Sequence, residues 1–201
     1  SVKGALEACD REFIVTTRMN VYDGFPYPYG FGVSKNGSLD FDPIEPDWLI
    51  KELYKYGVRL LNITMGNPYF NPHVNRPYRK GDYETPEAAQ TGLERFEYIE
   101  GHIKEKFPML TVVGSGLSYY RDDLMEQSER QLRDGICDMV GYGRMWLAYP
   151  MFYRDHLSGG FDAKKCCLAC SKCTELMRAG KVSGCAVFNE YYRELYKTIK
   201  K

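Results

Sequence analysis

The chain has 201 residues, enough for one domain with a sizeable core. Its 27 Lys and Arg balance 27 Asp and Glu, so charge implies neither a nucleic-acid nor a membrane partner. No apolar run approaches the roughly 18 residues needed to span a bilayer, and no export signal is read at the start.

Residues 1–10 (SVKGALEACD) carry Val2, Ala5, Leu6 and Cys9 on one stripe and read as the last turns of a helix. The chain opens at Ser1 inside that pattern, so it is read as a fragment whose N-terminal part is missing. Phe13–Arg18 predicts a first strand that ends on a charge. A Gly-, Pro- and aromatic-rich loop follows. Pro46 opens a helix that runs to Tyr56, where Gly57 stops it. Val58–Thr64 predicts a second strand, followed by an aromatic loop with His73 and Arg76. Thr85-Pro86-Glu87 starts a helix expected to reach Lys106. Met109–Val113, a helix over Asp122–Asp134, and a fourth strand over Asp138–Gly141 complete the rhythm. A short helix then leads to Tyr149-Pro150.

Short apolar strands alternating with amphipathic helices imply parallel βαβ units. A full (β/α)8 barrel needs about 250 residues, so four such units make roughly half of one. In barrels and open sheets alike, functional loops follow the strands' carboxyl ends. Gly114-Ser115-Gly116 follows the third strand and Gly143-Arg144 the fourth. Glycines let a backbone approach an anion, and an arginine adds a two-pronged donor. A plain strand-to-helix turn explains each alone; their pairing on successive strands is more specific. No G-x-G-x-x-G opens a helix, which excludes a Rossmann fingerprint. Arg18 reads either as a cation facing a barrel mouth or as a surface arginine. The histidines show no metal spacing: His102 reads as solvated and His73 as packed in its loop. Tyr22, Tyr27 and Tyr29 read either as a stacking wall for a flat ligand or as a loop packed on itself.

Five of the seven cysteines fall in Lys165–Asn189, four of them as Cys167-x2-Cys170-x2-Cys173-x11-Cys185. Four thiolates so spaced suit a [4Fe-4S] cluster. Structural zinc, and buried or disulfide-bonded cysteines, are the competing readings. Cys166 leaves the identity of the first ligand resting on spacing. Ligand-spaced cysteines in a chain with no export signal point to a reducing, cytoplasmic setting.

Arg18, GVRLLNITMG (57–66), VVGSG (112–116) and DMVGYGRMWLAYP (138–150) are ordered as in the Old Yellow Enzyme group of FMN-dependent ene-reductases. The cysteine region resembles that group's iron–sulfur branch, which includes 2,4-dienoyl-CoA reductase and trimethylamine dehydrogenase. The resemblance implies an α/β fold: residues 1–150 as strands five to eight of an FMN-binding TIM barrel, and 151–201 as an iron–sulfur segment with a C-terminal helix. It implies that Arg18 contacts the flavin ring, and that Ser115, Gly116, Gly143 and Arg144, with Gly114 in the same turn, hold the FMN phosphate. Cys167, Cys170, Cys173 and Cys185 would hold the cluster. NAD(P)H would supply electrons for reducing an activated C=C bond in a small unsaturated substrate. Catalytic residues are expected in the missing half of the barrel, the chain's first partner; a homo-oligomer is compatible. An amine (C–N) dehydrogenase on the same scaffold is the alternative, and a zinc-stapled structural domain is the alternative of another class. The chain stops at YKTIKK, before the nucleotide domain such relatives carry. By itself it is expected to be inactive and poorly soluble, because half a barrel exposes two strand edges.

Overall fold

A computed structural model of the chain describes residues 2–9, 13–79 and 83–199. Strands β1 (Thr17–Asn20), β2 (Leu60–Thr64), β3 (Thr111–Gly114) and β4 (Met139–Val140) form one parallel sheet in the order β1-β2-β3-β4. Helices α2 (Ile44–Lys55), α4 (Ala89–Lys106) and α5 (Leu124–Arg133) make the three crossovers between them. A doubly wound sheet reverses its strand order at a switch point. This one never does, and α2 and α4 pack on the same face of it.

Alternation along the strands decides what each face holds. Leu61 pairs with Thr17 and with Val112, and Ile63 pairs with Met19. These residues, apart from Thr17, are buried with Ile50 of α2 and Phe96, Ile99 and Ile103 of α4. The residues between them, Arg18, Asn62, Thr64 and Val113, point the other way. A parallel sheet is normally covered on both sides. Here one side has helices and the other is polar.

Helix α1 (Val2–Ala8) packs Val2 and Leu6 on this core; Ser1 and Asp10 of the predicted helix lie outside the described residues. Helix α3 (Pro72–Asn75) interrupts the aromatic loop after β2. Helices α6 (Arg144–Ala148), α7 (Phe152–Leu157), α8 (Lys172–Arg178) and α9 (Glu190–Ile199) follow the sheet. A second apolar cluster joins Leu117, Leu124 and Met145 to Phe152, Cys166 and Cys167, so packing continues across residue 150. Among the described residues, no helix is long and apolar enough to cross a membrane.

Several boundaries moved, each for a local reason. β1 starts at Thr17, and Phe13 and Ile14 are 69% and 76% exposed, because pairing with β2 begins only at Thr17. Arg18 is therefore inside the strand, not its last residue. Helix α2 starts at Ile44, whose N–H donates to Asp42 Oδ1 at 3.0 Å; Pro46 still sits in the first turn, where its missing N–H costs nothing. Helix α4 starts at Ala89, because Thr85 Oγ1 donates to Glu87 O in a separate turn. β3 runs from Thr111, leaving Met109 76% exposed. β4 has two residues, and a 3-10 turn over Arg121–Asp123 precedes α5. His102 is not simply solvated: its Nε2 lies 3.1 Å from Asp47 Oδ1 and ties α4 to α2.

Candidate functional site

The polar face leads at its C-terminal end into a cleft of about 440 Å³. That is the size range of small-molecule pockets, and the strand-end position is where such folds carry their sites. Its floor is an ordered set of amides and hydroxyls. Arg18 Nη2 donates to Thr64 Oγ1 at 3.1 Å, and Asn75 Nδ2 donates to the same oxygen at 3.2 Å and to Met65 O at 2.7 Å. Asn62 Nδ2 donates to Val113 O and to Ser115 Oγ, both at 3.1 Å, tying the ends of β2 and β3 together. The bond to Thr64 anchors the Arg18 guanidinium at the cleft wall.

Five of the six predicted cofactor residues line this cleft: Arg18, Ser115, Gly116, Gly143 and Arg144. Gly116 has φ +88, and a Cβ there would press on the Phe96 ring at 3.3 Å, so glycine suits this turn on both counts. At Gly143 an added Cβ would meet nothing within 4 Å, which leaves its backbone open to a ligand. Gly114 does something else. It faces the helix layer, where a Cβ would lie 2.9 Å from Glu100 Oε2 and 3.0 Å from Cys137 Sγ.

Glu100 escaped the sequence reading. It is wholly buried, and its Oε1 accepts the Ser115 N–H at 2.7 Å, so this N–H supports the turn and does not point at a ligand. Its Oε2 has no hydrogen-bond partner among the described residues. Burial pushes the carboxyl well above the ordinary range, only partly opposed by the Ser115 N–H, and the charge of Glu97 adds to the rise. Burial also pushes the Cys137 thiol up to about 11, with Glu100 adding to it. A stripe of Leu93, Phe96, Glu100 and Ile103 along α4 was the available signal. Asn62 and Thr64 were also missed, although in Leu-Asn-Ile-Thr they alternate with buried residues.

Beside the cleft, Cys167, Cys170, Cys173 and Cys185 line one cavity of about 20 Å³. Cys166 does not. It is buried in the second apolar cluster, with its thiol pushed up to about 11 by burial. All seven cysteines are free thiols. The chain reverses between the first three by two non-glycine residues in the left-handed region, Ala169 (φ 48) and Ser171 (φ 59). Such backbone is unfavourable for a residue with a Cβ and is held by its surroundings. The Ala169 N–H donates to Cys167 Sγ at 3.4 Å. Ser171 Oγ and Arg144 Nη1 are buried without partners among the described residues, and both residues line this cavity. Burial raises the Cys167 thiol, and the nearby Arg144 charge opposes that rise. Among the described residues, no three His, Cys, Asp or Glu side chains gather as a single metal-ion site.

The loop after β2 joins the two sites. Arg144 Nη2 donates to Pro77 O at 3.1 Å, the Arg79 N–H to Ala169 O at 3.1 Å, and Arg178 Nη2 to Pro68 O at 3.1 Å. Arg76, which lines the cleft, donates through Nη1 to Thr174 of α8. His73, read as a packed loop residue, has Nδ1 2.6 Å from Tyr83 Oη. Tyr22 is a core residue whose hydroxyl donates to Leu39 O at 2.6 Å, whereas Tyr29 is exposed. Neither they nor Tyr27 line the cleft.

No family model and no curated protein matches the chain. Among solved structures, it superposes on the 6-hydroxypseudooxynicotine (6-HPON) amine oxidase (HisD) from Pseudomonas geniculata N1 with a TM-score of 0.62 and 17% identity. The match covers 92% of this chain and 23% of that one, so the chain spans under a quarter of the amine oxidase. What the two share is the fold: the parallel α/β sheet of this chain superposes on part of that larger chain.

Proposed function

We propose that this chain is the C-terminal half of an FMN-binding (β/α)8 barrel followed by an iron–sulfur segment, within an NAD(P)H:flavin oxidoreductase of the Old Yellow Enzyme type. One observation carries the reading. Residues from four strand ends, far apart in sequence, converge on one cleft, with four cysteines around a cavity that shares Arg144 with it.

The residues suit the groups. The cleft combines a fixed cation on its wall, an open glycine backbone and a second arginine, the donors that a phosphate and a flat heteroaromatic ring require. Four thiols, a buried hydroxyl and a buried guanidinium N–H form a donor set for an anionic thiolate-held centre. Cys167, Cys170, Cys173 and Cys185, on the lining of a cavity of about 20 Å³, are the residues that would hold a cluster. Once bound, FMN would supply hydride transfer to an activated C=C bond and the [4Fe-4S] centre single-electron relay.

The chain's own work is placement. Arg18, held by Thr64, would set the ring against the polar face and offset negative charge at its edge. Gly116, Gly143 and Arg144 would hold the phosphate, with Ser115 Oγ free to donate while its N–H stays on Glu100. Helices on the other face keep water from the back of the sheet. Oxidation of a C–N bond is the second reading, favoured by the amine oxidase on which this fold superposes.

The test is the visible spectrum of the intact protein with flavin, iron and acid-labile sulfide assays. Flavin bands over a broad brown absorbance, with FMN released by acid, are expected. A colourless protein with one tightly held zinc would overturn the reading. Turnover of enoates against that of amines then separates the two activities.

A further inference from the structure

We propose that Arg144 serves both sites with one guanidinium, holding the anion of the cleft and donating into the cysteine cavity, so that its removal loosens what both hold. The inference rests on the reading of these sites given above.

Arg144 lines both cavities. Its Nη2 is engaged by Pro77 O at 3.1 Å, which fixes the plane of the fork. The same loop is anchored on the cysteine segment through the bond from the Arg79 N–H to Ala169 O. Nη1 is buried and has no acceptor among the described residues. A guanidinium keeps its charge in any protein environment, so this donor cannot be silenced by losing a proton. Leaving it unmade is costly, and an acceptor is required. Sulfur held by four cysteines supplies one, since a thiolate-bound centre is anionic and accepts hydrogen bonds that stabilise it. The Ser171 hydroxyl, also buried without a partner on the same cavity, is a second donor of the same kind. Lysine would not substitute. A point charge on a flexible stem cannot hold Pro77 and reach both sites together.

The experiment compares the intact protein with its Arg144→Met, Arg144→Lys and Arg18→Met variants. It measures affinity for FMN and for riboflavin by fluorescence quenching, and the rate at which a chelator strips iron at saturating flavin. Arg144→Met is expected to weaken FMN about tenfold or more and riboflavin hardly at all, since only FMN carries the phosphate. It is also expected to speed iron loss several-fold, with thermal unfolding close to that of the parent. Arg144→Lys, which keeps the charge and guards against misfolding, should recover much of the FMN affinity but not the iron retention. Arg18→Met should weaken both flavins and leave iron loss unchanged. Iron loss in Arg144→Met at the parental rate would overturn the proposal, and so would faster loss that disappears once flavin saturates. A parent protein without flavin and iron would instead sink the proposed function itself.

Discussion

The two faces of the sheet are built from the same four strands, yet they do opposite work. Met19, Leu61, Ile63 and Val112 face helices and lose their water; Arg18 and Asn62, one residue away each, line a cleft, with Thr64 beneath them accepting from Arg18. Because side chains alternate, a single backbone carries both a buried apolar layer and a polar layer that opens on the cleft. A one-residue slip in register would exchange them. Stability and chemistry are thus separable here by substitution, and that separation can be tested.

The largest effect is expected on the helix side. Phe96→Ala should cost about 3–5 kcal/mol in denaturant unfolding, since the ring is fully packed under the Gly116 turn. Arg18→Ala, on an exposed side chain of the other face, should cost less than about 0.5 kcal/mol while abolishing tight flavin binding. Equal destabilisation by the two would erase the distinction between the faces.

Neighbouring cysteines repeat the contrast on a smaller scale. Cys166→Ser puts a hydroxyl into an apolar cluster and should cost about 1–3 kcal/mol, with iron content intact. Cys167→Ser should lose iron with little loss of fold. On the proposed reading, iron assays on the two variants separate a ligand thiol from a packed one.

Glu100 bridges the faces, and its effect depends on pH. Its folded carboxyl titrates above the unfolded one, so the folded state holds the proton more tightly. Its contribution is complete below the ordinary Glu range and is lost as pH rises toward the folded value. Glu100→Gln keeps an acceptor for the Ser115 N–H and cannot ionise. Its stability relative to the parent should therefore improve between about pH 5 and about pH 8, read from denaturant midpoints. No change in that difference would mean that Glu100 ionises freely.

The smallest effect belongs at the rim. Glu97 and Arg130 form a paired contact at 2.5 and 2.9 Å, but both are partly exposed. Hydrogen bonding from Arg130 holds the Glu97 carboxyl below its usual range, so this stabilisation is present above that range and fades as pH falls. Glu97→Gln should cost under about 1 kcal/mol, less in high salt.

The βα rhythm was legible because apolar runs and amphipathic stripes follow from local periodicity. Strand limits were not. Phe13 and Ile14 have strand-forming side chains but pair with no strand among the described residues, and Met109 is in the same position. Pairing, which is nonlocal, decided them. Arg18, Ser115, Gly116, Gly143 and Arg144 were singled out by their chemistry on or just after strands, and they line one cleft, whereas Glu100 was not singled out. Its burial appears only once α4 lies on the sheet.

The sequence by itself determined the alternation of strands and helices, the two glycine turns and the cysteine spacing, because each depends on residues close together in the chain. Only the tertiary structure decided that Cys166 turns into the core while Cys167 joins three others, that Gly114 makes room for a carboxyl, and that Arg144 borders two cavities. These outcomes depend on which surfaces meet between different elements, from the Ser115–Glu100 bond with its separation of 15 to the Arg144–Pro77 bond with its separation of 67, and no local pattern encodes them.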